Sequence, residues 1–114
     1  MNGIILAAGQ GKRFRPLTTY IPKPLLPIFD QPLLAINIAR LRALGVRSIG
    51  INTFYQSEQI LQRLEDSKGL VVVREDHLSG TGGALIHFRG MMTTDFIVHN
   101  CDAITNIDLK EAVA

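Results

Sequence analysis

Short apolar blocks alternate with longer segments of helical periodicity along this 114-residue chain. Four of the blocks are nearly unbroken runs of apolar or β-branched residues, as expected for strands buried on both faces of a parallel sheet. They cover residues 3–8, 48–52, 70–73 and 96–98. These blocks predict the central sheet of an α/β protein.

The segments between the predicted strands carry apolar residues at helical spacing. Leu34, Ile38 and Leu41 recur at i, i+4 and i+7 before Gly45, a residue type common at helix ends. Further helices are predicted over residues 56–64, from Gly82 to about Gly90 with Thr81 as N-cap, and over residues 109–114 with Asp108 and Glu111 as a capping box. This alternation predicts a Rossmann-like, doubly wound, mostly parallel sheet with helices on both faces.

Composition favours one small globular domain, since hydrophobic residues make up 46% of the chain. The net charge is only +2 and aromatic residues are 6% of the total, so a nucleic-acid partner is not expected. The apolar runs are too short to span a membrane, and the single cysteine, Cys101, is compatible with a reducing compartment. We therefore expect a cytoplasmic protein without a membrane partner; the sequence indicates no oligomeric state.

A glycine-containing basic loop, GQGKRFRPLTTYIPKPLLPIF at residues 9–29, follows the first predicted strand. It has four cationic side chains and no carboxylate. Glycines let backbone N–H groups approach a phosphate, and cations supply positive potential. Doubly wound sheets bind ligands at the carboxyl ends of their strands, and polar clusters at residues 74–81 and 100–102 follow two other predicted strands. We expect the three clusters to form one site.

Two common phosphate-binding motifs do not fit this loop. A P-loop needs a glycine five positions before its Gly-Lys pair and a Ser or Thr after it, but Leu6 and Arg13 occupy those positions. The dinucleotide fingerprint needs a third glycine and an acid at the end of the second strand, where this chain has Phe14 and Asn52. A different phosphate-binding motif is therefore required.

The longer pattern LAAGQGKRFRPLTTYIPKPLLPI, which begins at Leu6, closely resembles the signature of the sugar-phosphate nucleotidyltransferases, also called nucleotide-sugar pyrophosphorylases. That signature joins Leu-Ala-x-Gly-x-Gly-x-Arg, Pro-Leu-Thr and Pro-Lys-Pro-Leu, and all three elements are present. The segments EDHLSGTGGAL at residues 75–85 and HNCD at residues 99–102 are also similar to family segments. The chain most resembles members such as mannose-1-phosphate guanylyltransferases and N-acetylmuramate-1-phosphate uridylyltransferases. We therefore expect residues 1–114 to be a single nucleotide-binding domain, the N-terminal half of a longer nucleotidyltransferase domain.

The resemblance implies an enzyme that forms an NDP-sugar and pyrophosphate from a nucleoside triphosphate, GTP or UTP, and a sugar 1-phosphate. Such a reaction needs alignment and charge neutralisation of two anions, and no protein nucleophile. By resemblance, Arg13 is a catalytic residue on the β- and γ-phosphates, Lys23 is a catalytic residue on the α-phosphate and the sugar phosphate, and Asp102 binds Mg²⁺. The nucleotide-binding residues implied in the same way are Leu6, Ala7, Ala8, Gly9, Gly11, Lys12, Glu75, Gly80, Thr81 and Asn100.

Several of these positions have alternative interpretations. Asn100 either bonds hydroxyls of the ligand or satisfies the end of its strand. Lys12 and Arg15 either face phosphates or are solvated surface cations. Cys101 stands where the family has glycine, which places a side chain beside the expected metal ligand.

The choice of nucleotide depends on Glu75, which aligns with the family position that reads the base edge. A carboxylate there can accept from both N1–H and N2–H of guanine, whereas uracil offers only N3–H, so the residue favours GTP. The alternative to an enzyme is a truncated or regulatory nucleotide-binding module without turnover.

Overall fold

The computed structural model describes residues 1–64 and 67–113 and has an α/β architecture. In chain order its helices and strands are β1 (Asn2–Leu6), α1 (Leu17–Tyr20), β2 (Pro27–Ile28), β3 (Gln31–Pro32), α2 (Leu33–Ala43), β4 (Ile49–Thr53), α3 (Ser57–Leu64), β5 (Leu70–Arg74), α4 (Gly80–Ile86), β6 (Phe96–Asn100) and α5 (Leu109–Val113). Among the described residues, no helix is both long and apolar enough to cross a membrane.

The central sheet has the strand order β5-β4-β1-β6, and every neighbouring pair is parallel. The four predicted strands are thus confirmed. The first strand ends at Leu6, two residues earlier than predicted, so Ala7 and Ala8 belong to the loop that follows it. β1 lies between β4 and β6, where the chain changes its direction of winding, and ligands bind at such a switch point in doubly wound sheets.

Helices cover both faces of the sheet, as predicted. On one face, Ile5 and Ile51 pack with Leu34 and Leu41 of α2 and Ile60 of α3 in a single hydrophobic cluster. Side chains of successive strand residues point to opposite faces of the sheet, so the neighbours of Ile5 and Ile51 in sequence face the other side.

That opposite face is closed by Phe88, which follows α4, and by Ala84 within α4; both are buried. Phe88 lies directly over Gly50 of β4: a Cβ atom built on Gly50 would be only 2.6 Å from the ring. The absence of a side chain at Gly50 therefore makes the space for Phe88, and it lets α4 and its C-terminal turn lie close to the sheet.

Two predicted helix boundaries are wrong. Thr81 is not an N-cap, because α4 begins at Gly80, after Ser79, and places Thr81 in its first turn. Gly80 has a φ of +73°, a conformation that glycine adopts without strain, and this allows the earlier start. The helix also ends at Ile86, before the predicted Gly90, which lies in a separate 3₁₀ turn, Arg89–Met91.

The last helix, α5, begins as predicted after Asp108, whose Oδ1 accepts from the N–H of Lys110 at 2.9 Å. The predicted capping box with Glu111 is not formed among the described residues: the backbone N–H of Glu111 donates to the Asp108 carbonyl at 3.1 Å, and no side-chain bond joins the two residues. The predicted end at residue 114 lies outside those residues.

Candidate functional site

All of the predicted site residues except Gly11 and Lys12 line one of three adjoining clefts at the carboxyl ends of the strands. A cavity of about 230 Å³, here called the base cleft, is bounded by Leu6, Ala8, Gly9, Asn52, Glu75, Leu78, Gly80, Thr81 and Ala84. A second of about 250 Å³, the phosphate cleft, is bounded by Leu6, Ala7, Gly9, Lys23, Pro24, Asn100, Cys101 and Asp102. The two share Leu6 and Gly9, and thus meet at the end of β1. The fold therefore brings the three polar clusters of the sequence together, as expected.

A third and larger cleft, of about 1010 Å³, opens from the phosphate cleft through Lys23 and Asp102, which line both. Arg13 lies on its wall, among apolar side chains that include Phe14 and Ile104. The clefts thus place the two predicted catalytic cations on one continuous surface.

Lys23 is held in place from several sides. It is the first residue of a 3₁₀ turn, Lys23–Leu25. Its two neighbours, Pro22 and Pro24, are buried and restrict the backbone. Its ammonium lies 2.8 Å from Oδ2 of Asp102 and 5.0 Å from the centre of the Phe14 ring, within range of a cation–π interaction. The Lys23 side chain is 21% exposed, so the charge stays accessible to a ligand in the cleft.

Gly11 packs closely against Thr18 and the backbone end of the Lys23 side chain. Its φ of +64° favours glycine, and an added Cβ would lie 2.8 Å from Thr18 Cγ2 and 3.2 Å from Lys23 Cβ. The buried Thr18 also donates its hydroxyl to the Gly11 carbonyl at 2.6 Å. Gly11 thus shapes the loop beneath Lys23, although it does not line the base or phosphate cleft.

Asp102 follows β6 and is about half exposed. The hydrogen bond from Lys23 holds the pKa of its carboxyl below the ordinary value, and the charge of Arg13 acts in the same direction. The carboxylate is therefore ionised at neutral pH, as a metal ligand must be.

Two residues of α2 fix the backbone around Asp102, and the sequence pattern did not identify either. Asn37, fully buried, donates to the Cys101 carbonyl at 2.6 Å, and Arg40 donates to the carbonyls of Thr105 and Ile107. A polar residue on the apolar face of a predicted helix was the signal available for Asn37. Cys101 itself belongs to the hydrophobic cluster, and burial raises the pKa of its thiol to about 12.

The basic loop, residues 9–29, includes regular secondary structure. It contains α1 and β2, the first strand of the β2–β3 hairpin. Three hydrogen bonds, here called the α3 strap, tie it to residues at the start of α3 and just before it. Donors of Tyr55, Gln56 and Gln59 reach the carbonyls of Thr18, Thr19 and Tyr20 at 2.7, 2.8 and 2.8 Å. These bonds satisfy three successive carbonyls of α1 and hold the basic loop against the start of α3.

Glu75 lies at the end of β5 and is 5% exposed. It accepts from Asn52 Nδ2 at 3.0 Å and from Ser79 Oγ at 2.5 Å. Neither partner was identified as a site residue from sequence, although Asn52 is a polar residue at the end of the predicted second strand, one residue before β4 ends.

The remaining predicted residues differ in how closely they join the site. Asn100 pairs with Leu6 across the sheet and lines the phosphate cleft. Lys12 and Arg15 are exposed, and their side chains form no hydrogen bond or ion pair within the described part of the chain. Both interpretations of Lys12 and Arg15 therefore stay predictions.

A magnesium ion fits this donor set only as an ion shared with a ligand. No group of three or more His, Cys, Asp or Glu side chains lies close enough to hold a metal among residues 1–64 and 67–113. Mg²⁺ is, however, commonly held by one or two carboxylates together with substrate phosphates, and the carboxylate of Asp102 supplies suitable oxygen ligands.

The sequence profile of the Nucleotidyl transferase family matches residues 2–114. The chain is 34% identical over 99% of its length to the bifunctional protein GlmU of Methanococcus aeolicus, 31% over 97% to mannose-1-phosphate guanylyltransferase of Mycobacterium tuberculosis, and 35% over 98% to N-acetylmuramate alpha-1-phosphate uridylyltransferase of Neisseria meningitidis. It spans 27%, 32% and 51% of those proteins.

The fold is also similar to that of a solved structure. A Bacillus anthracis protein described as a glucose-1-phosphate thymidylyltransferase, in complex with sucrose, superposes with a TM-score of 0.87 at 27% identity. The match covers 99% of this chain and 48% of that one.

A parallel sheet with a cationic, glycine-containing loop at its switch point defines a doubly wound α/β protein, and the profile match is more specific. The chain belongs to the Nucleotidyl transferase family. The substrates of this family are a nucleoside triphosphate and a sugar 1-phosphate, and its members generally use a divalent metal ion. The resemblance recognised in the sequence is confirmed.

Proposed function

We propose that this chain is the nucleotide-binding part of an enzyme that makes an NDP-sugar and pyrophosphate from a nucleoside triphosphate and a sugar 1-phosphate. One observation carries the proposal: the base cleft and the phosphate cleft meet at Leu6 and Gly9, with Glu75 in one and the Lys23–Asp102 pair in the other. A base and its phosphates could therefore occupy neighbouring clefts across the end of β1.

The proposed reaction is attack by a phosphate oxygen of the sugar 1-phosphate on the α-phosphorus. The new P–O bond replaces the bond to the β-phosphate oxygen, and pyrophosphate leaves with that bonding pair. Lys23 would bind the α-phosphate and the sugar phosphate, while Arg13 would neutralise the β- and γ-phosphates with its planar guanidinium. Catalysis then comes from alignment and from fixed positive charge.

Asp102 would be a ligand of Mg²⁺, which supplies charge neutralisation at the phosphate oxygens when bound. The Lys23–Asp102 ion pair suits this role. When a nucleotide and Mg²⁺ bind, the phosphates can replace Asp102 as the partner of Lys23, and Mg²⁺ can replace Lys23 as the partner of Asp102.

The 114 residues would form the N-terminal half of a longer nucleotidyltransferase domain, since the relatives are two to four times longer and match in their N-terminal part. The cytoplasmic location and the absence of a nucleic-acid partner stay predictions from the sequence.

Pyrophosphate release tests the proposal. It should be measured with a panel of nucleoside triphosphates and sugar 1-phosphates in Mg²⁺, on this chain and on the longest reading frame that contains it. Release in either polypeptide is the expected result. Saturable nucleotide binding without release in both would favour the alternative, a nucleotide-binding module without turnover.

A further inference from the structure

A buried amide, Asn52, connects the loop after β1 to the carboxylate of Glu75. Asn52 is 3% exposed. Its Oδ1 accepts from the backbone N–H of Ala7 at 2.8 Å, and its Nδ2 donates to Glu75 Oε2 at 3.0 Å. Because a backbone N–H can only donate, the amide cannot exchange its oxygen and nitrogen without losing both bonds. The Ala7 N–H therefore fixes which group Asn52 presents to Glu75.

The second oxygen of Glu75 also accepts a hydrogen bond. Oε1 accepts from the hydroxyl of Ser79 at 2.5 Å, and Nε2 of His87 lies 3.5 Å away. Both carboxylate oxygens are thus held as acceptors. Since a carboxylate has about four lone-pair directions, each oxygen keeps acceptor capacity for a ligand.

Glu75 and Asn52 line the base cleft together with Gly80 and Thr81. A base edge that enters this cleft would meet two neighbouring acceptors. Guanine offers two neighbouring donors, N1–H and N2–H, whereas uracil offers one N–H between two carbonyl oxygens that the carboxylate would repel.

We propose that Asn52 is a positioning residue that holds Glu75 as a pair of acceptors, and that this arrangement makes the base cleft select guanine over uracil. The inference rests on the proposed function, because it requires that a nucleotide base occupies this cleft. Asn52 would then contribute to base specificity through Glu75, without itself touching the base.

The test compares the dissociation constants of GTP and UTP, measured by calorimetry with Mg²⁺ on the intact protein. The wild type should bind GTP about tenfold more tightly or better, the effect of roughly one charge-assisted hydrogen bond. Asn52→Asp keeps the acceptor for Ala7 but places a second carboxylate against Glu75, so the two must share a proton. The preference for GTP should fall about tenfold, while Asn2→Asp, the same change at a residue that bonds Met91 outside the site, should leave it unaltered.

A second variant keeps the test informative if Asn52→Asp does not fold. In Glu75→Gln, the Asn52 amino group would orient the new amide so that it presents one acceptor and one donor, which complements uracil. The preference should therefore move toward UTP. Equal GTP and UTP affinities in the wild type, or an unchanged ratio in the folded variants, would overturn the inference and leave the proposed function intact. Failure of every nucleoside triphosphate to bind would instead overturn the proposed function.

Discussion

The ammonium of Lys23 lies 2.8 Å from Oδ2 of Asp102, although 79 positions separate the two residues in the chain. The bond joins the loop after β1 to the loop after β6, one on each side of the switch point. It pairs the cation proposed to bind phosphates with the carboxylate proposed to bind a metal. The low pKa of Asp102 keeps this pair formed at neutral pH, and the pair is lost only as the pH falls below the ordinary carboxyl range.

Replacing Lys23 by Met should remove the charge while keeping most of the side-chain volume. We expect the rate of pyrophosphate release to fall by roughly 100-fold or more, and nucleotide affinity by less than about tenfold, because the charge acts mainly on the transferred phosphate. Single-turnover kinetics and calorimetry measure the two effects. Lys110→Met, at an exposed position of α5, is the control. Equal losses of rate and affinity would show that Lys23 only binds the nucleotide.

Asp102→Asn should raise the Mg²⁺ concentration needed for half-maximal activity by about tenfold or more, since a neutral amide is a weaker ligand for a hard cation. Nucleotide binding in EDTA should not weaken, because the change releases Lys23 from its partner. Mg²⁺ titration of activity checks the first effect and calorimetry the second. Asp95→Asn, in an exposed loop, serves as control; an unchanged Mg²⁺ requirement in Asp102→Asn would exclude Asp102 as a ligand.

Tyr55→Phe removes one bond of the α3 strap and leaves the Thr18 carbonyl without that donor. It also removes an acceptor of Gln56 Nε2, which keeps its bond to the Thr19 carbonyl. We expect the free energy of unfolding to fall by about 1 kcal/mol, the usual contribution of one such hydrogen bond. Urea unfolding followed by circular dichroism provides the measurement. Tyr20→Phe is a matched control, because the Tyr20 side chain is 77% exposed. If both variants were equally stable, the strap would contribute nothing through Tyr55.

Gly50→Ala should destabilise the fold by about 1–3 kcal/mol, because the new methyl group would meet the Phe88 ring at 2.6 Å and force this aromatic side chain to move. Gly90→Ala adds the same group where nothing lies within 4 Å, so it should change stability by less than about 0.5 kcal/mol. Thermal unfolding of the two variants compares them directly. Equal stability would mean that Phe88 does not pack on β4 as described.

Cys101 should react slowly with iodoacetamide in the folded protein at pH 8, since its thiol is buried and its pKa is raised to about 12. The unfolded chain should react at the rate of an ordinary thiol. Because the thiol of the unfolded chain has an ordinary pKa of 9.0 and the pKa of the folded one is higher, the contribution of this group to stability should decline as the pH rises above 9.0. Mass spectrometry of the alkylated protein checks the rates, with Cys101→Ser as the unlabelled control. Rapid labelling of the native state would contradict the burial of Cys101.

The strands and the position of the basic loop were predictable from sequence because their signals are local. A buried parallel strand needs a continuous apolar run, and a backbone close to phosphate needs glycine, so both leave a pattern within a few residues. The start of α4 was not predictable in the same way. Ser79 resembles an N-cap, yet its hydroxyl bonds Glu75, and Gly80 begins the helix with a positive φ.

The sequence by itself determined the family, the order of strands and helices and the identity of the expected phosphate-binding cations. Tertiary structure alone decided which side chains meet: Lys23 with Asp102, Asn52 with Glu75, and the α3 strap with the carbonyls of the basic loop. These contacts join residues about 20 to 80 positions apart and depend on strand order, which places β4 and β6 on either side of β1. Each uses a common polar residue without a periodic pattern, so its role appears only when the chain has folded.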